Sequence, residues 1–244
     1  MARYVDVALL PGEMEFIQAE GTLAVIIDVL RASTTMVTAL ANGAAQVIPL
    51  KDIEKARARH AQEPGFLLGG ERNANPPPGF DLGNSPREYT KEKVGGRGVI
   101  MTTTNGTAAL EAAHKGGATT IIVGALTNRQ AVVDFCQDHS EPILLVCAGC
   151  QGRFSLEDAL CAGAIIAGLG SGLKRSDTAE TCLALYETWG PQGLAKQIFG
   201  SVHGQRLERI GYGEDIEWAT RLDVSSIVPI YRDGEIRVFQ GPRA

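Results

Sequence analysis

The chain has 244 residues, 44% of them hydrophobic and 21% charged, with a formal net charge of −5. That composition excludes a disordered chain, and the length suits one large α/β domain or two small ones. The acidic balance, with no Lys/Arg run, argues against a nucleic-acid surface. The longest uncharged apolar stretch, 159–173, falls short of the ~20 residues of a membrane span and reads as a buried helix.

Acids at Asp6, Glu13 and Glu15 interrupt the N-terminal segment, so no signal-peptide pattern forms and the cytoplasm is the expected location. Apolar runs rich in β-branched residues then predict strands at 5–10, 23–29, 47–50, 66–68, 98–101, 120–123 and 143–146. Short, nearly continuous runs of this kind suit strands buried on both faces. Helices are predicted between them at 32–42, 52–62, 106–115, 128–138 and 155–170, and afterwards at 179–188, 191–199 and 202–210. The chain closes on a hairpin, 226–231 and 235–240, around Asp233-Gly234.

The alternation predicts an α/β fold: three layers, α/β/α, with a mostly parallel or mixed central sheet and a C-terminal β-hairpin. No linker separates parts, so 1–244 reads as a single α/β domain, with a division into two lobes and a site between them left open. A weak internal repeat supports pseudo-repeated strand–turn–helix units. Segment 25–50 and segment 99–123 share the order strand, polar turn, helix, Gly, strand, and a third pass begins at 143. In a parallel sheet the helix starts of such units gather at the carboxyl ends of the strands, where ligands of these folds bind.

Three such turns carry the candidate chemistry. In the first, Asp28 ends a strand, Arg31 sits in the turn, and Ser33, Thr34 and Thr35 open a helix. Free N–H groups and the helix dipole attract anions there, and a guanidinium can grip phosphate or carboxylate with two prongs. Capping explains one hydroxyl, but not the acid and base beside it. Asp28 also resembles the aspartyl nucleophile of haloacid-dehalogenase-type phosphatases. Leu30 stands where those need a second acid, which argues against that mechanism.

The second turn is Thr103, Thr104, Asn105, Gly106 and Thr107. Polar residues at the end of a buried strand suggest a ligand, and the glycine allows close approach to the backbone; an ordinary helix cap is the alternative. In the third, Ser155 with Asp158 fits a capping box, while Glu157 and Asp158 could equally ligate a hard cation such as Mg²⁺, which selects carboxylate oxygens and keeps its waters. The loop carrying Glu71 and Arg72 reads as a wall or lid of the site, with a plain scaffold loop as the alternative. His203 is a candidate substrate contact, against a structural or exposed histidine. The five cysteines read as reduced thiols. Cys147 and Cys150 form a lone CxxC without the second pair that zinc needs, so small buried thiols are the better reading.

Taken together, DVLRASTT (28–35), GGER (69–72), GFDLGNSP (79–86), TTTNGT (102–107), CAG (147–149) with ED (157–158) and a second CAG (161–163), and HG (203–204) with a later Asp215-Ile216 resemble the 2-phosphosulfolactate phosphatase family. These motifs span nearly the whole chain in order. The resemblance implies a Mg²⁺-dependent phosphatase that hydrolyses (R)-2-phospho-3-sulfolactate to 3-sulfolactate and phosphate, a step of coenzyme M biosynthesis and of bacterial sulfolactate production. On that reading Asp28, Arg31, Glu157 and Asp158 act in catalysis, with Mg²⁺ held by a carboxylate set drawn from Asp28, Glu157 and Asp158. Ser33, Thr34, Thr35, Arg72, Thr103, Thr104, Asn105, Gly106, Thr107 and His203 would bind the substrate. Such a polyanion needs local positive potential, from helix starts, a metal and arginines such as Arg31, Arg72, Arg87 or Arg153. The expected partner is therefore a small anionic substrate, with no nucleic acid and no membrane; a homo-oligomer is left open. Two alternatives stand beside this reading: a phosphatase of the same fold acting on another small phosphorylated acid, and a non-catalytic anion-binding protein.

Overall fold

Alternating β-branched runs and helical segments produce the expected layers in the computed structural model, which describes residues 3–241. In chain order these are β1 (Tyr4–Ala8), β2 (Leu23–Ile27), α1 (Ala32–Ala41), β3 (Gln46–Leu50), α2 (Ile53–Gln62), β4 (Leu67–Gly70), α3 (Lys91–Val94), β5 (Gly98–Thr102), α4 (Gly106–Lys115) and β6 (Thr120–Gly124). There follow α5 (Arg129–Gln137), β7 (Ile143–Cys147), α6 (Leu156–Leu169), β8 (Lys174–Arg175), α7 (Asp177–Trp189), α8 (Leu194–Gly200), α9 (Val202–Arg209), α10 (Gly213–Ala219), β9 (Pro229–Arg232) and β10 (Glu235–Val238). The predicted helix at 191–199 is instead a 3-10 turn followed by α8, divided at Gly193, whose φ of 98° takes the backbone out of helical geometry. The short elements α3, β8 and α10 have no counterpart in the sequence reading.

All ten strands form one mixed sheet in the order β4-β5-β3-β10-β9-β6-β2-β7-β1-β8. The hairpin enters the middle of this sheet: β10 pairs with β3, and β9 with β6, both antiparallel. Its turn residues Asp233 and Gly234 both have positive φ, 51° and 86°, the conformation that a two-residue hairpin requires. Three antiparallel ladders in succession reverse the chain direction three times. The parallel group β4-β5-β3 therefore runs opposite to the parallel group β6-β2-β7-β1-β8. The carboxyl ends of the two groups would lie at opposite edges of a flat sheet, contrary to the single gathering of helix starts that a parallel sheet predicts.

The two groups nevertheless share one core. Val47, Val99 and Met101 of one group and Ala24, Ile26, Ile121, Val123, Leu144 and Val146 of the other share one buried cluster with α1 and α4. Helix α1, buried from Ala32 to Leu40, thus lies between the two groups. The outer face of the larger group is covered by α5, α6 and α7. The outer face of the smaller group packs Ile48, Leu68 and Ile100 on Ala56 of α2. A β2–α1 turn and a β5–α4 turn meet as a result: a Cβ on Gly106 would stand 3.0 Å from Asp28 Oδ2 and 2.8 Å from Ala32 Cβ. Among the described residues no helix is long and apolar enough to cross a membrane.

Candidate active site

The meeting of those turns forms a cavity lined by Asp28, Leu30 and Arg31 from the β2–α1 turn and by Glu71, Asn73, Ala74 and Asn84 from the loops after β4. Thr103, Thr104 and Asn105 close one wall, and Cys150, Gln151, His203, Arg206 and Leu207 close the other. Its volume is about 60 Å³.

Asp28 is 4% exposed. Its Oδ1 accepts from the Ala32 N–H at 3.2 Å, while Oδ2 has no protein donor among the described residues and faces Gly106. Burial raises its pKa to about 6, against the pull of the Ala32 N–H and the His203 charge. The hydroxyls beside it shape the turn and do not line the cavity. Ser33 Oγ accepts from the Asp28 N–H at 2.9 Å and donates to the Ile26 carbonyl. Thr34 donates to the Val29 carbonyl at 2.7 Å and Thr35 to the Asn84 carbonyl at 2.9 Å.

Arg31 is held from three sides. Nη1 donates to Asp215 Oδ2 at 2.9 Å in an ion pair whose side chains are 3% and 2% exposed. Nη2 donates to the Ala74 carbonyl at 2.7 Å, and the guanidinium lies 4.1 Å from the centroid of the Tyr212 ring. Asp215 in turn accepts from Ser85 Oγ at 2.6 Å. Helix α10, which carries Asp215, therefore fixes the arginine side chain in the cavity wall.

The two acids that open α6 have separate tasks. Ser155 Oγ accepts from the Asp158 N–H, half of the expected capping box. The Asp158 carboxylate turns away and accepts from Val29 N–H at 2.9 Å and Gly149 N–H at 3.1 Å, tying the β2 turn to the β7 turn. Burial pushes its pKa well above the carboxylate range, and repulsion from Asp28 and Glu157 adds to this. Glu157 Oε1 instead faces His203 Nδ1 at 2.8 Å, with Ser201 Oγ donating to Oε2 at 3.4 Å. Burial alone would lower the pKa of His203, but Cys150 and the Glu157 carboxylate facing Nδ1 push it up to about 10, which favours the charged ring.

The second turn is also partly occupied with itself. Thr103 Oγ1 accepts from the Thr107 N–H and Thr107 Oγ1 donates to the Thr103 carbonyl, which leaves Thr107 outside the cavity lining. Thr104 is clamped by Glu71, whose Oε1 accepts from its N–H at 3.0 Å and its hydroxyl at 2.8 Å. Arg72 does not line the cavity; its guanidinium donates to the carbonyls of Glu71 and Lys51. Arg206 and Asn84, absent from the sequence candidates, do line it. Asn84 Oδ1 is buried without a hydrogen-bond partner among the described residues.

The expected three-acid Mg²⁺ set is not assembled. Among the described residues no three Asp, Glu, His or Cys side chains close on one point, because Asp158 is taken by two backbone N–H groups and Glu157 by His203 and Ser201. A smaller set fits. The free Asp28 Oδ2 and the orphaned Asn84 Oδ1 line one cavity, and Mg²⁺ is commonly held by one or two protein oxygens together with substrate phosphate and water.

The sequence profile described as 2-phosphosulpholactate phosphatase matches residues 9–234. Probable 2-phosphosulfolactate phosphatases of Thermotoga petrophila and Thermotoga maritima are 43% and 44% identical over 232 residues, covering 94% of this chain and 96% of each relative. The protein of the same name from Caldanaerobacter subterraneus is 40% identical over 88% of this chain and 90% of its own length. With a cavity that joins an acid, two arginines and a histidine, and a match over most of its length, the chain belongs to the 2-phosphosulfolactate phosphatase family, a family of phosphoric monoester hydrolases.

Proposed function

We propose that this chain is a Mg²⁺-dependent phosphatase that hydrolyses (R)-2-phospho-3-sulfolactate to 3-sulfolactate and phosphate. The observation that carries the reading is the pairing, in one small cavity, of a buried acid with an unused oxygen, Asp28, and a buried arginine held rigid beside it, Arg31. Phosphoryl transfer depends mainly on positioning and charge stabilisation. Arg31, already fixed by Asp215, Ala74 and Tyr212, loses little freedom when its remaining N–H groups take phosphoryl oxygens. The His203 imidazolium offsets charge that develops on the leaving oxygen. Thr103, Thr104 and Asn105 bound the organic acid portion. Asp28 and Asn84 would hold Mg²⁺, which when bound neutralises phosphoryl charge.

The test is phosphate release from 2-phosphosulfolactate by the purified protein. Activity should vanish in excess EDTA and return with Mg²⁺. Undiminished release in EDTA would remove the metal, and activity confined to other phosphorylated acids would remove the named substrate.

A further inference from the structure

Three cationic side chains line the cavity, and they differ in what already neutralises them. Arg31 carries Asp215 as its own buried counter-ion, and His203 carries Glu157. Arg206, half-buried, forms neither an ion pair nor a hydrogen bond among the described residues. It lies three residues after His203 on α9, so both side chains leave the same face of that helix and both reach the cavity. The cavity acids Asp28 and Glu71 do not reach it: Asp28 lies against Gly106, and Glu71 is bound to Thr104 and to the Ala74 N–H. An arginine at a cavity wall with its planar fork unused is a receptor for a planar or tripodal oxyanion.

We propose that Arg206 is the residue that selects for acid substrates by taking an oxyanion other than the phosphoryl group: the carboxylate or the sulfonate of the organic portion. The proposal rests on the phosphatase reading above, in which Asp28 and Arg31 take the phosphoryl group. It makes Arg206 a specificity-determining contact, since a phosphate ester without a second anionic group has nothing to offer it.

The experiment measures kcat/KM for wild type, Arg206→Gln and Arg206→Lys on three compounds: 2-phosphosulfolactate, 2-phospholactate and p-nitrophenyl phosphate. One charge-assisted hydrogen bond corresponds to about ten- to a hundred-fold. In Arg206→Gln the preference for 2-phosphosulfolactate over p-nitrophenyl phosphate should therefore collapse by that factor, with Arg206→Lys between it and wild type. A matching collapse for 2-phospholactate identifies the carboxylate as the group bound, and a collapse for 2-phosphosulfolactate alone identifies the sulfonate. An equal fall on all three compounds, or no fall, overturns the proposal while leaving the phosphatase reading in place. Wild-type protein inactive on all three removes the phosphatase reading and this proposal with it. Melting temperatures of both variants within a few degrees of wild type establish that each loss is chemical.

Discussion

His203 shows how neighbours decide the state of a side chain. Burial favours a neutral imidazole, yet the contacts with Cys150 and Glu157 outweigh it and hold the ring charged, with a pKa of about 10 against 6.5 in an unfolded chain. A folded pKa above the unfolded one means that the folded state binds the proton more tightly. The stability this contributes is complete below pH 6.5 and is lost as pH rises to about 10. Asp28 has the same sign in another window, between 3.8 and about 6, so the two effects separate. The melting-temperature gap between wild type and His203→Gln should be widest near pH 6 and close as pH approaches 10. A gap independent of pH would show that the imidazole acts by packing alone. The same scale explains a limit of sequence reasoning. Asp28 and Arg31 were legible because an acid and a base stand in a turn where helix capping needs neither. Arg206 was not, because Arg206 and Arg209 look alike along a polar helix, and only the docking of α9 sends the first into the cavity.

Among elements, α10 is short and its seven residues were not predicted, yet it supplies the partner of the central arginine. Asp215 receives both Arg31 and Ser85, and thereby joins the β2 turn, the loop before α3 and α10 in one polar cluster. Removing one partner of a buried ion pair leaves the other uncompensated, at a cost of about 3–5 kcal/mol. Asp215→Asn keeps an oxygen and should fall near the lower end in denaturant unfolding, with kcat/KM reduced at least tenfold because Arg31 loses its fixed direction. Normal kcat/KM in the folded variant would reduce α10 to a cover. The hydroxyl run on α1 gives the converse lesson. Ser33, Thr34 and Thr35 suggested an anion site, but the surrounding core buries α1 from Ala32 to Leu40, and buried hydroxyls turn to the nearest carbonyls.

At the scale of the molecule, the layered α/β class was legible in the strand and helix periods, whereas the sheet order was not. Apolar patterning says that a strand is buried but not which strand lies beside it, and the hairpin that follows every helix returns to pair between β3 and β6. Ile236, fully buried on β10 opposite Val47, is the point where the two strand groups join. Ile236→Ala should cost about 2–5 kcal/mol, the usual range for such a truncation in a core, in one cooperative transition. Two resolved transitions would mean that the groups fold separately and are merely joined by the hairpin.

The loop carrying GFDLGNSP runs back along the outer side of β4. Asp81 and Leu82 N–H groups donate to the Leu68 carbonyl, Asp81 Oδ2 accepts from the Leu68 N–H, and the Gly83 carbonyl accepts from the Gly70 N–H. The strand at the far margin, β8, is only Lys174 and Arg175. One border of the sheet is thus sealed by its own chain, and the other is too short and too cationic to template a neighbour, two devices by which proteins escape strand-by-strand self-association. Neither border therefore offers a second copy a long unpaired strand to extend.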